Sequence, residues 1–350
     1  MRIAQIAPLT EAVPPKTYGG TERVVSYLTE ELVAMGHEVT LFASGDSVTS
    51  AELEAAWPCA LRFDKALRDG MAPHMLEMEA ACRRAWEFDV LHCHLDYWTF
   101  PLLSRQSTPF VTTLHGRLDL PELMMVHECF EGVPLVSISD AQRRPLRRGR
   151  FVGTVYHGLP ENLLTPQPVA RDYLAFLGRI CPEKSPDRAI RIARAAGLKL
   201  KIAAKVDRVD RDYYETYIKP MIDGEQIEMI GEIGEAEKAA FLSGARALLL
   251  PIDWPEPFGL VMIEAMACGT PTIAFPAGSV PEIIEDGTTG FIVSDEAGAV
   301  AAIRRLPDLS RAVIRAQFEQ RFTARRMAED YLTIYRRLSG RTRPVLRVVT

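Results

Sequence analysis

The feature of this sequence that most constrains its fold is the alternation of two hydrophobic patterns. Short apolar or β-branched runs alternate with amphipathic stretches along the chain, which predicts an α/β protein in which helices cover parallel sheets. The stretch Thr21–Met35 has helical spacing and stops at Gly36, so we expect the first helix there. Strands in the first half are expected at Arg2–Ala7, Glu38–Ala43, Val90–His94, Phe110–His115, Leu135–Ile138 and Val152–His157.

The alternation is interrupted once, by the proline-rich segment Leu159–Asp172, which we interpret as a linker. The sequence therefore predicts doubly wound parallel-sheet domains at residues 1–165 and 166–323. A last helix and tail, 324–350, could cap the second domain or pack back on the first. Right-handed crossovers would turn the carboxyl ends of both sheets toward a central cleft. Strands of the second half are expected at Tyr173–Leu177, Lys199–Ala204, Ile227–Ile230, Ala247–Pro251 and Pro271–Phe275.

Composition excludes several classes of protein. A chain of 350 residues with 47% hydrophobic residues can form two cores. Its net charge of −5 lacks the basic footprint of a nucleic-acid-binding protein. No apolar run reaches the roughly 20 residues that span a bilayer. The first residues run straight into a strand pattern without a secretory signal, so we expect a cytoplasmic protein.

The cysteines predict neither a disulfide framework nor a metal site, because none forms a Cys-x-x-Cys pair. The one cluster to consider is His92-Cys93-His94. In a strand it would point both histidines to one face and Cys93 to the other. No further ligand lies nearby in sequence, so we expect no metal. The cysteines are Cys59, Cys82, Cys93, Cys129, Cys181 and Cys268.

A loop and helix start with two carboxylates follow the buried strand Ala247–Pro251. Gly259 opens the helix, whose free N–H groups and positive dipole end suit a phosphate. Glu256 lies on the loop, whereas Glu264 lies more than one turn inside the helix. The two carboxylates therefore cannot form an adjacent acid/base pair, and we expect them to bind two parts of one ligand. The alternative is an acidic loop followed by a solvated helix face.

The segment Glu256–Glu264 resembles the Glu-x7-Glu signature of the retaining glycosyltransferases of family 4. The resemblance continues through Ala265–Ala274 and recurs at both ends of the chain, so it covers nearly the whole sequence. Members of this family adopt the GT-B fold, in which two Rossmann-like domains face a central cleft. The resemblance implies a hexosyltransferase whose nucleotide sugar is a co-substrate, with no cofactor and no metal requirement.

A glycine loop, Tyr18-Gly19-Gly20-Thr21, lies between the first strand and the first helix. It lacks the Gly-x-Gly-x-x-Gly fingerprint, which argues against an NAD-dependent dehydrogenase. Paired glycines at a helix start let a ligand approach the backbone closely, although a simple turn would look the same. The resemblance implies that these amides face the donor diphosphate and the acceptor.

Two cations follow the first strand of the second half. Arg179 and Lys184 could neutralise a diphosphate leaving group, and the resemblance assigns both to the donor phosphates. Ser185 replaces the glycine usual after that lysine, and Pro186 could begin a helix.

The resemblance also assigns roles near strand ends. His115, by itself an ordinary histidine, would contact the transferred sugar near its reacting carbon without acting as a conventional base. His157 stands where relatives usually carry asparagine, so that residue's role is not carried over. The predicted catalytic set is His115, Glu256, Arg179 and Lys184. Predicted donor contacts are Gly19, Gly20, Arg179, Lys184, Glu232, Glu256, Pro257, Phe258, Gly259, Leu260 and Glu264, and the acceptor-side residues are Thr21, His94, Tyr97 and Trp98.

Two other features favour plain surface. Asp210-Arg211-Asp212 has the form of a metal–diphosphate motif but precedes a charged helix, so we expect it to be solvated. The basic run Arg143–Arg150 is typical of a charged face, although it could dock a phosphate-bearing or membrane-held acceptor.

The predicted reaction is metal-independent, retaining transfer of a hexose by same-face attack on a nucleotide-diphosphate sugar. UDP-glucose is the favoured donor and GDP-mannose the next. The acceptor is a hydroxyl of a small molecule, a glycan or a lipid-linked compound, which leaves peripheral membrane contact open. The alternatives are a nucleotide-sugar epimerase or a phosphorylase of the same fold, and a non-catalytic sugar-nucleotide-binding protein.

Overall fold

The structure is a computed structural model that describes residues 1–16 and 19–340. It divides into two compact units: unit 1 comprises Met1–Gly158 and the chain from Ala324, and unit 2 comprises Leu159–Thr323. The division lies after Gly158 rather than near residue 165, because Leu159 already donates its N–H to the Phe322 carbonyl at 2.9 Å. Tyr18 of the predicted glycine loop and the predicted tail, 341–350, lie outside the described residues.

Within its described residues, unit 1 contains one parallel sheet of seven strands in the order β3-β2-β1-β4-β5-β6-β7. The strands are β1 (Arg2–Ile6), β2 (Glu38–Ser44), β3 (Glu52–Trp57), β4 (Val90–Cys93), β5 (Phe110–Thr113), β6 (Pro134–Ser137) and β7 (Arg150–Thr154). The helices are α1 (Gly20–Ala34), α2 (Met71–Arg83), α3 (Phe100–Leu103), α4 (Pro121–Cys129) and α5 (Asp140–Arg143).

Unit 2 repeats this architecture with six parallel strands in the order β10-β9-β8-β11-β12-β13. They are β8 (Tyr173–Arg179), β9 (Lys199–Lys205), β10 (Ile227–Gly231), β11 (Ala245–Leu250), β12 (Thr272–Ala274) and β13 (Gly290–Ile292). The helices are α6 (Pro186–Ala196), α7 (Arg211–Tyr213), α8 (Glu235–Ser243), α9 (Leu260–Ala267), α10 (Val280–Ile283), α11 (Glu296–Arg304) and α12 (Arg311–Arg321), and Tyr214–Ile218 forms a π-helix.

In each sheet the strand order reverses beside the first strand of the unit, between β1 and β4 and between β8 and β11. Loops leave such a reversal in opposite directions and open a crevice at the carboxyl edge of the sheet. The two predicted doubly wound parallel sheets are confirmed. Prediction missed β3 and β13, because β3 is a half-exposed edge strand with the polar sequence Glu-Leu-Glu-Ala-Ala-Trp and β13 has three residues.

The last helix, α13 (Ala324–Ser339), belongs to unit 1. Its buried face includes Tyr331 and Tyr335, which are 1% and 0% exposed. The Tyr335 hydroxyl lies 2.6 Å from Nδ1 of His92 in β4. The helix therefore packs on the sheet of the first unit, which is one of the two arrangements that the sequence left open.

One ionisable residue lies in the core of unit 1 without a partner. Glu77, in α2, is 0% exposed, and neither carboxylate oxygen forms a hydrogen bond within the described part of the chain. Burial raises the pKa of Glu77 well above its ordinary value. The folded protein therefore holds a proton that the unfolded chain releases above about pH 4.3, so the stability contribution of this group falls as the pH rises above that value.

We expect Glu77→Met to raise the free energy of unfolding at pH 8 by about 1–3 kcal/mol, because it removes a buried polar group that lacks a partner. Urea unfolding of the wild type, Glu77→Met and Glu77→Gln at pH 5 and pH 8 tests this. Both variants should lose the part of the pH dependence that comes from Glu77. An unchanged pH dependence in both would contradict the assignment.

Candidate active site

The predicted site residues lie at the carboxyl edges of the two sheets. In unit 2, Arg179 ends β8, Lys184 lies in the following 3-10 turn, and Glu256 lies in the loop between β11 and α9. In unit 1, Gly19 and Gly20 lie where β1 leads into α1, His94 follows β4, and His115 follows β5. Each group occupies the side of its sheet on which Rossmann-like folds bind ligands.

Glu256 belongs to a compact cluster in unit 2, which we call the Glu256 cluster: Lys184, Trp254 and Glu256. The Lys184 ammonium pairs with Oε2 of Glu256, and the indole N–H of Trp254 donates to the same oxygen at 2.9 Å. The ammonium also lies 5.1 Å from the centre of the Trp254 ring, within the range of a cation–π contact. The sequence predicted Lys184 and Glu256 as separate donor contacts, and it missed Trp254.

Backbone packing holds the loop of Glu256 in place. Gly278 has a φ of +58°, and a Cβ there would overlap the backbone N and O of Glu256. The next residue, Ser279, donates its N–H to the Glu256 carbonyl at 2.9 Å and its hydroxyl to the Phe258 carbonyl at 2.8 Å. The loop therefore packs tightly against a turn whose conformation requires glycine at Gly278.

The amino end of α9 faces the same loop. Gly259 precedes the helix with a φ of +78°, and no side chain caps the helix there. This left-handed conformation favours glycine, and a Cβ there would also lie 3.2 Å from Cγ of Glu256. The first N–H groups of α9 carry the partial positive charge of a helix end next to the Glu256 cluster.

The second carboxylate of the motif has its own lysine. Glu264, the fifth residue of α9, lies 2.5 Å from the ammonium of Lys238 in α8, and both side chains are largely buried. Glu256 and Glu264 are thus neutralised separately and do not form an adjacent acid/base pair. Lys238 was not singled out from the sequence, since a lysine on an amphipathic helix gives no local signal.

Arg179 lies between two carboxylates that follow β9. Its guanidinium is 3.7 Å from Oδ2 of Asp207 and 3.6 Å from Oδ2 of Asp210, and Lys205 contacts Asp207 at 2.8 Å. The prediction that Asp210 is solvated was wrong: its side chain is 12% exposed, whereas the neighbouring Asp212 is exposed. Strands β8 and β9 are paired in register up to Arg179 and Lys205, which brings these charges together.

The remaining predicted donor residues of unit 2 differ in exposure. Glu232 is exposed in the loop after β10. Pro257 is buried, and Phe258 is 2% exposed and packs edge-on against Phe322 at 6.4 Å. A donor contact by Phe258 would therefore use its backbone rather than its ring. Leu260, the first residue of α9, is half-buried.

In unit 1, His115 contacts two other imidazole rings. Its Nε2 lies 2.8 Å from Nδ1 of His94, and its ring stacks on that of His157 with centroids 5.3 Å apart. Burial lowers the pKa of His115 to about 3, so the ring is neutral near pH 7. His157 thus places an aromatic ring against His115.

The predicted acceptor-side residues differ in burial. His94 is 3% exposed and uses both ring nitrogens inside the unit, so it supports His115 rather than reaching an acceptor. Tyr97 and Trp98 pack against buried apolar clusters, and the Trp98 ring meets His74 edge-on at 4.9 Å. Both rings are half-buried, and their contact with an acceptor stays a prediction. Thr21 lies half-buried in the first turn of α1.

The backbone of the glycine loop lies close to neighbouring side chains at Gly19. A Cβ on Gly19 would lie 2.8 Å from Cβ of Pro15 and 3.1 Å from Cγ of Glu11, whereas Gly20 is exposed. Glu22 occupies the first turn of α1, and burial raises its pKa. The amino end of α1 thus already has a carboxylate beside it.

The basic run is largely exposed, as expected for a charged face, whereas the histidine–cysteine cluster is buried. Arg143 pairs with Asp140 at 3.0 Å, Arg148 with Glu128 at 3.5 Å, and Arg150 donates to a backbone carbonyl. Cys93 packs into the core on the sheet face opposite to His92 and His94. Across residues 1–16 and 19–340, no three His, Cys, Asp or Glu side chains are arranged to hold a metal ion.

None of the described helices combines the length and the apolar character needed to cross a bilayer.

Two family models match the sequence. The model of Glycosyltransferase Family 4 matches residues 18–184, and that of Glycosyl transferases group 1 matches residues 165–320. A D-inositol 3-phosphate glycosyltransferase of Mycolicibacterium paratuberculosis is 31% identical over 154 residues, 40% of this chain, and the match spans about a third (34%) of that relative. A phosphatidyl-myo-inositol mannosyltransferase of Mycobacterium leprae is 25% identical over 360 residues, covering 91% of this chain and 90% of the relative.

Solved structures share the fold. AviGT4, a glycosyltransferase involved in avilamycin A biosynthesis, has 24% identity and a TM-score of 0.75, with 97% of this chain and 98% of that chain covered. Anabaena HepE, solved in complex with UDP-glucose, has 16% identity and a TM-score of 0.72, with 97% and 100% covered. These likenesses and the two parallel sheets confirm the predicted GT-B class. With family models matching from residue 18 to residue 320, the chain belongs to the family 4 glycosyltransferases.

Proposed function

We propose that this protein is a retaining hexosyltransferase that uses a nucleotide-diphosphate sugar and in which unit 2 binds the donor. The observation that carries the proposal is the Glu256 cluster at the start of α9. Among the described residues, both contacts of the Glu256 carboxylate go to Oε2. Its Oε1 is thereby available to accept hydrogen bonds from sugar hydroxyls.

The charges around the cluster suit a diphosphate leaving group. Lys184 and Arg179 are cations held by carboxylates, and the amino end of α9 adds backbone N–H donors. A diphosphate that takes over these donors would be stabilised as negative charge develops on it. Glu264, deeper in α9, would bind the ribose of the nucleotide.

The proposed chemistry is same-face attack. The acceptor hydroxyl oxygen bonds to the anomeric carbon as the bond from that carbon to the phosphate oxygen breaks, and the hydroxyl proton passes to the departing phosphate. Double displacement would instead need a carboxylate nucleophile beside the anomeric carbon. Glu256, paired with Lys184 and Trp254, is built to orient rather than to attack. We propose no metal ion in this step.

UDP-glucose is our proposed donor, with GDP-mannose next. UDP donors are the commonest in the family that the sequence resembles, and HepE, which shares the fold, binds UDP-glucose. The named relatives act on inositol compounds, one of them a lipid. We therefore propose a hydroxyl acceptor that is a small molecule, a glycan or a lipid-linked compound, handled by a cytoplasmic protein with at most peripheral membrane contact.

Replacing Glu256 tests the core of the proposal. Glu256→Gln keeps the size of the side chain but removes its charge, so we expect kcat to fall about 100- to 1000-fold, as when a preorganised polar contact to a transition state is lost. The measurement is transfer from UDP-glucose or GDP-mannose, with Glu225→Gln, an exposed carboxylate between β9 and β10, as the control. A folded Glu256→Gln variant that turns over at nearly the wild-type rate would refute the assignment.

The role of Trp254 gives a second prediction. Trp254→Phe keeps an aromatic ring near Lys184 but removes the N–H that binds Glu256. Because a hydrogen bond to a charged group contributes about 1.5–3 kcal/mol, we expect kcat/KM to fall about 10- to 100-fold. Trp86→Phe, on the exposed surface of unit 1, is the matched control. Equal kinetics for the two variants would show that the indole N–H does not position Glu256.

The donor base is tested by thermal shift. A ligand raises the melting temperature according to its affinity for the folded state, so UDP should stabilise the protein more than GDP does at equal concentration. The reverse order would replace UDP-glucose with GDP-mannose as the proposed donor.

Two further outcomes test the alternative functions. Conversion of the donor to another sugar nucleotide without any acceptor would identify an epimerase. Tight donor binding without turnover on any acceptor would favour a non-catalytic binding protein.

A further inference from the structure

The side-chain amide of Gln5, in β1, is the branch point of a buried hydrogen-bond chain in unit 1. Its Nε2 donates to the Tyr335 hydroxyl at 3.2 Å, and its Oε1 lies 2.9 Å from Nε2 of His94. A carbonyl oxygen only accepts hydrogen bonds, so His94 must carry a proton on Nε2. Gln5, His94 and Tyr335 are all buried.

The proton position on His94 determines that on His115. Burial holds the pKa of His94 well below its usual value, so the ring is neutral and its second nitrogen, Nδ1, is an acceptor. That nitrogen lies 2.8 Å from Nε2 of His115. His115 therefore donates from Nε2, and its own Nδ1 carries a lone pair.

The other branch of the chain runs in a compatible direction. Because Tyr335 accepts from Gln5, its hydroxyl proton points to Nδ1 of His92 at 2.6 Å. His92 then donates from Nε2 to the Thr113 hydroxyl at 2.7 Å, and Thr113 lies 2.9 Å from the Tyr331 hydroxyl. Side chains of β1, β4, β5 and α13 thus form one continuous network.

Rotating the Gln5 amide by half a turn would reverse every bond and place a proton on Nδ1 of His115. That atom is buried and has no hydrogen-bond partner among the described residues. In proteins a buried N–H without a partner is rarer than a buried acceptor without one. The direction with the lone pair at Nδ1 is therefore favoured.

We propose that Gln5 and His94 are positioning residues that fix His115 as the Nε2–H tautomer, so that Nδ1 acts as a hydrogen-bond acceptor for a neutral hydroxyl group. This assignment rests on the proposed function, since the resemblance to family 4 assigns His115 to the transferred sugar. A neutral acceptor nitrogen binds a sugar hydroxyl but repels a phosphate oxygen. It thus favours a sugar with a free hydroxyl, rather than a phosphate ester, at the position that meets His115.

The tautomer is measured directly by 15N NMR of the wild-type protein labelled at histidine, with the His115 signals identified by their loss in His115→Gln. Protonated and bare ring nitrogens have well-separated 15N shifts. We expect a protonated Nε2 and a bare Nδ1 for His115 at pH 7. A protonated Nδ1 would overturn the proposal without any variant of Gln5 or His94.

Two substitutions at Gln5 test its role. Gln5→Met fills the same space but removes the acceptor for His94, so both tautomers of His115 should become populated. Gln5→Glu restores that acceptor and should restore the single tautomer. His37→Asn, at the opposite end of the sheet beside the chain terminus, is the control and should leave the His115 signals unchanged. A single Nε2–H tautomer in folded Gln5→Met would show that Gln5 does not fix it.

Activity separates this inference from the proposed function. Loss of one hydrogen bond corresponds to a fall in kcat of about five- to tenfold in Gln5→Met, with recovery in Gln5→Glu. If the NMR pattern is as expected but no donor is turned over, the proposed transfer fails and the tautomer assignment stands. If the wild type transfers sugar but His115 carries its proton on Nδ1, the assignment fails and the transfer stands.

Discussion

The reversal of strand order beside β1 and β8 is the constraint on which the rest of the structure depends. All paired strands run parallel, so every strand of a sheet ends at the same edge, and the loops that leave neighbouring strands at the reversal diverge. In unit 2 this divergence sets Arg179 and Lys184 on one side and the Glu256 loop on the other. In unit 1 it places the segment after β1 next to the start of the loop that carries His94, whose N–H donates to the Ile6 carbonyl at 2.9 Å. Residues far apart in sequence lie close together there, because all the parallel strands of a sheet end at the same edge.

The second constraint is that buried charges must be neutralised. A buried charge is costly unless it is paired, and both carboxylates of the motif in unit 2 are paired: Glu256 with Lys184, and Glu264 with Lys238. The half-buried Arg179 lies within 4 Å of Asp207 and Asp210. These pairs hold the cations in place without a ligand. An anionic ligand with hydroxyl groups can replace each of these ion pairs. Its anionic oxygens accept hydrogen bonds from the cations, and its hydroxyl groups donate to the carboxylates.

In unit 1 the buried histidines avoid the cost of a buried charge by a different means. Burial keeps His92, His94 and His115 neutral, and these three belong to one network with Gln5, Thr113, Tyr331 and Tyr335. A network of neutral donors and acceptors has a direction, because each group that donates on one side accepts on the other. The consequence is a defined hydrogen-bond character at His115 with no net charge. Unit 2 therefore contains charged hydrogen-bonding groups, whereas His115 of unit 1 is a neutral one.

The sequence by itself determined the α/β class, the two sheets and the position of the Glu256–Glu264 segment, because these depend on local periodicity and on glycine at sharp turns. It also separated Glu256 from Glu264 correctly, since one turn of helix is a local distance. It could not reveal Trp254, Lys238, Asp207 or Gln5 as partners, because their roles arise from strands that pair across long stretches of chain. The same reason explains the error at Asp210 and the open placement of α13. Register and packing decide which side chains meet, and only the tertiary structure contains them.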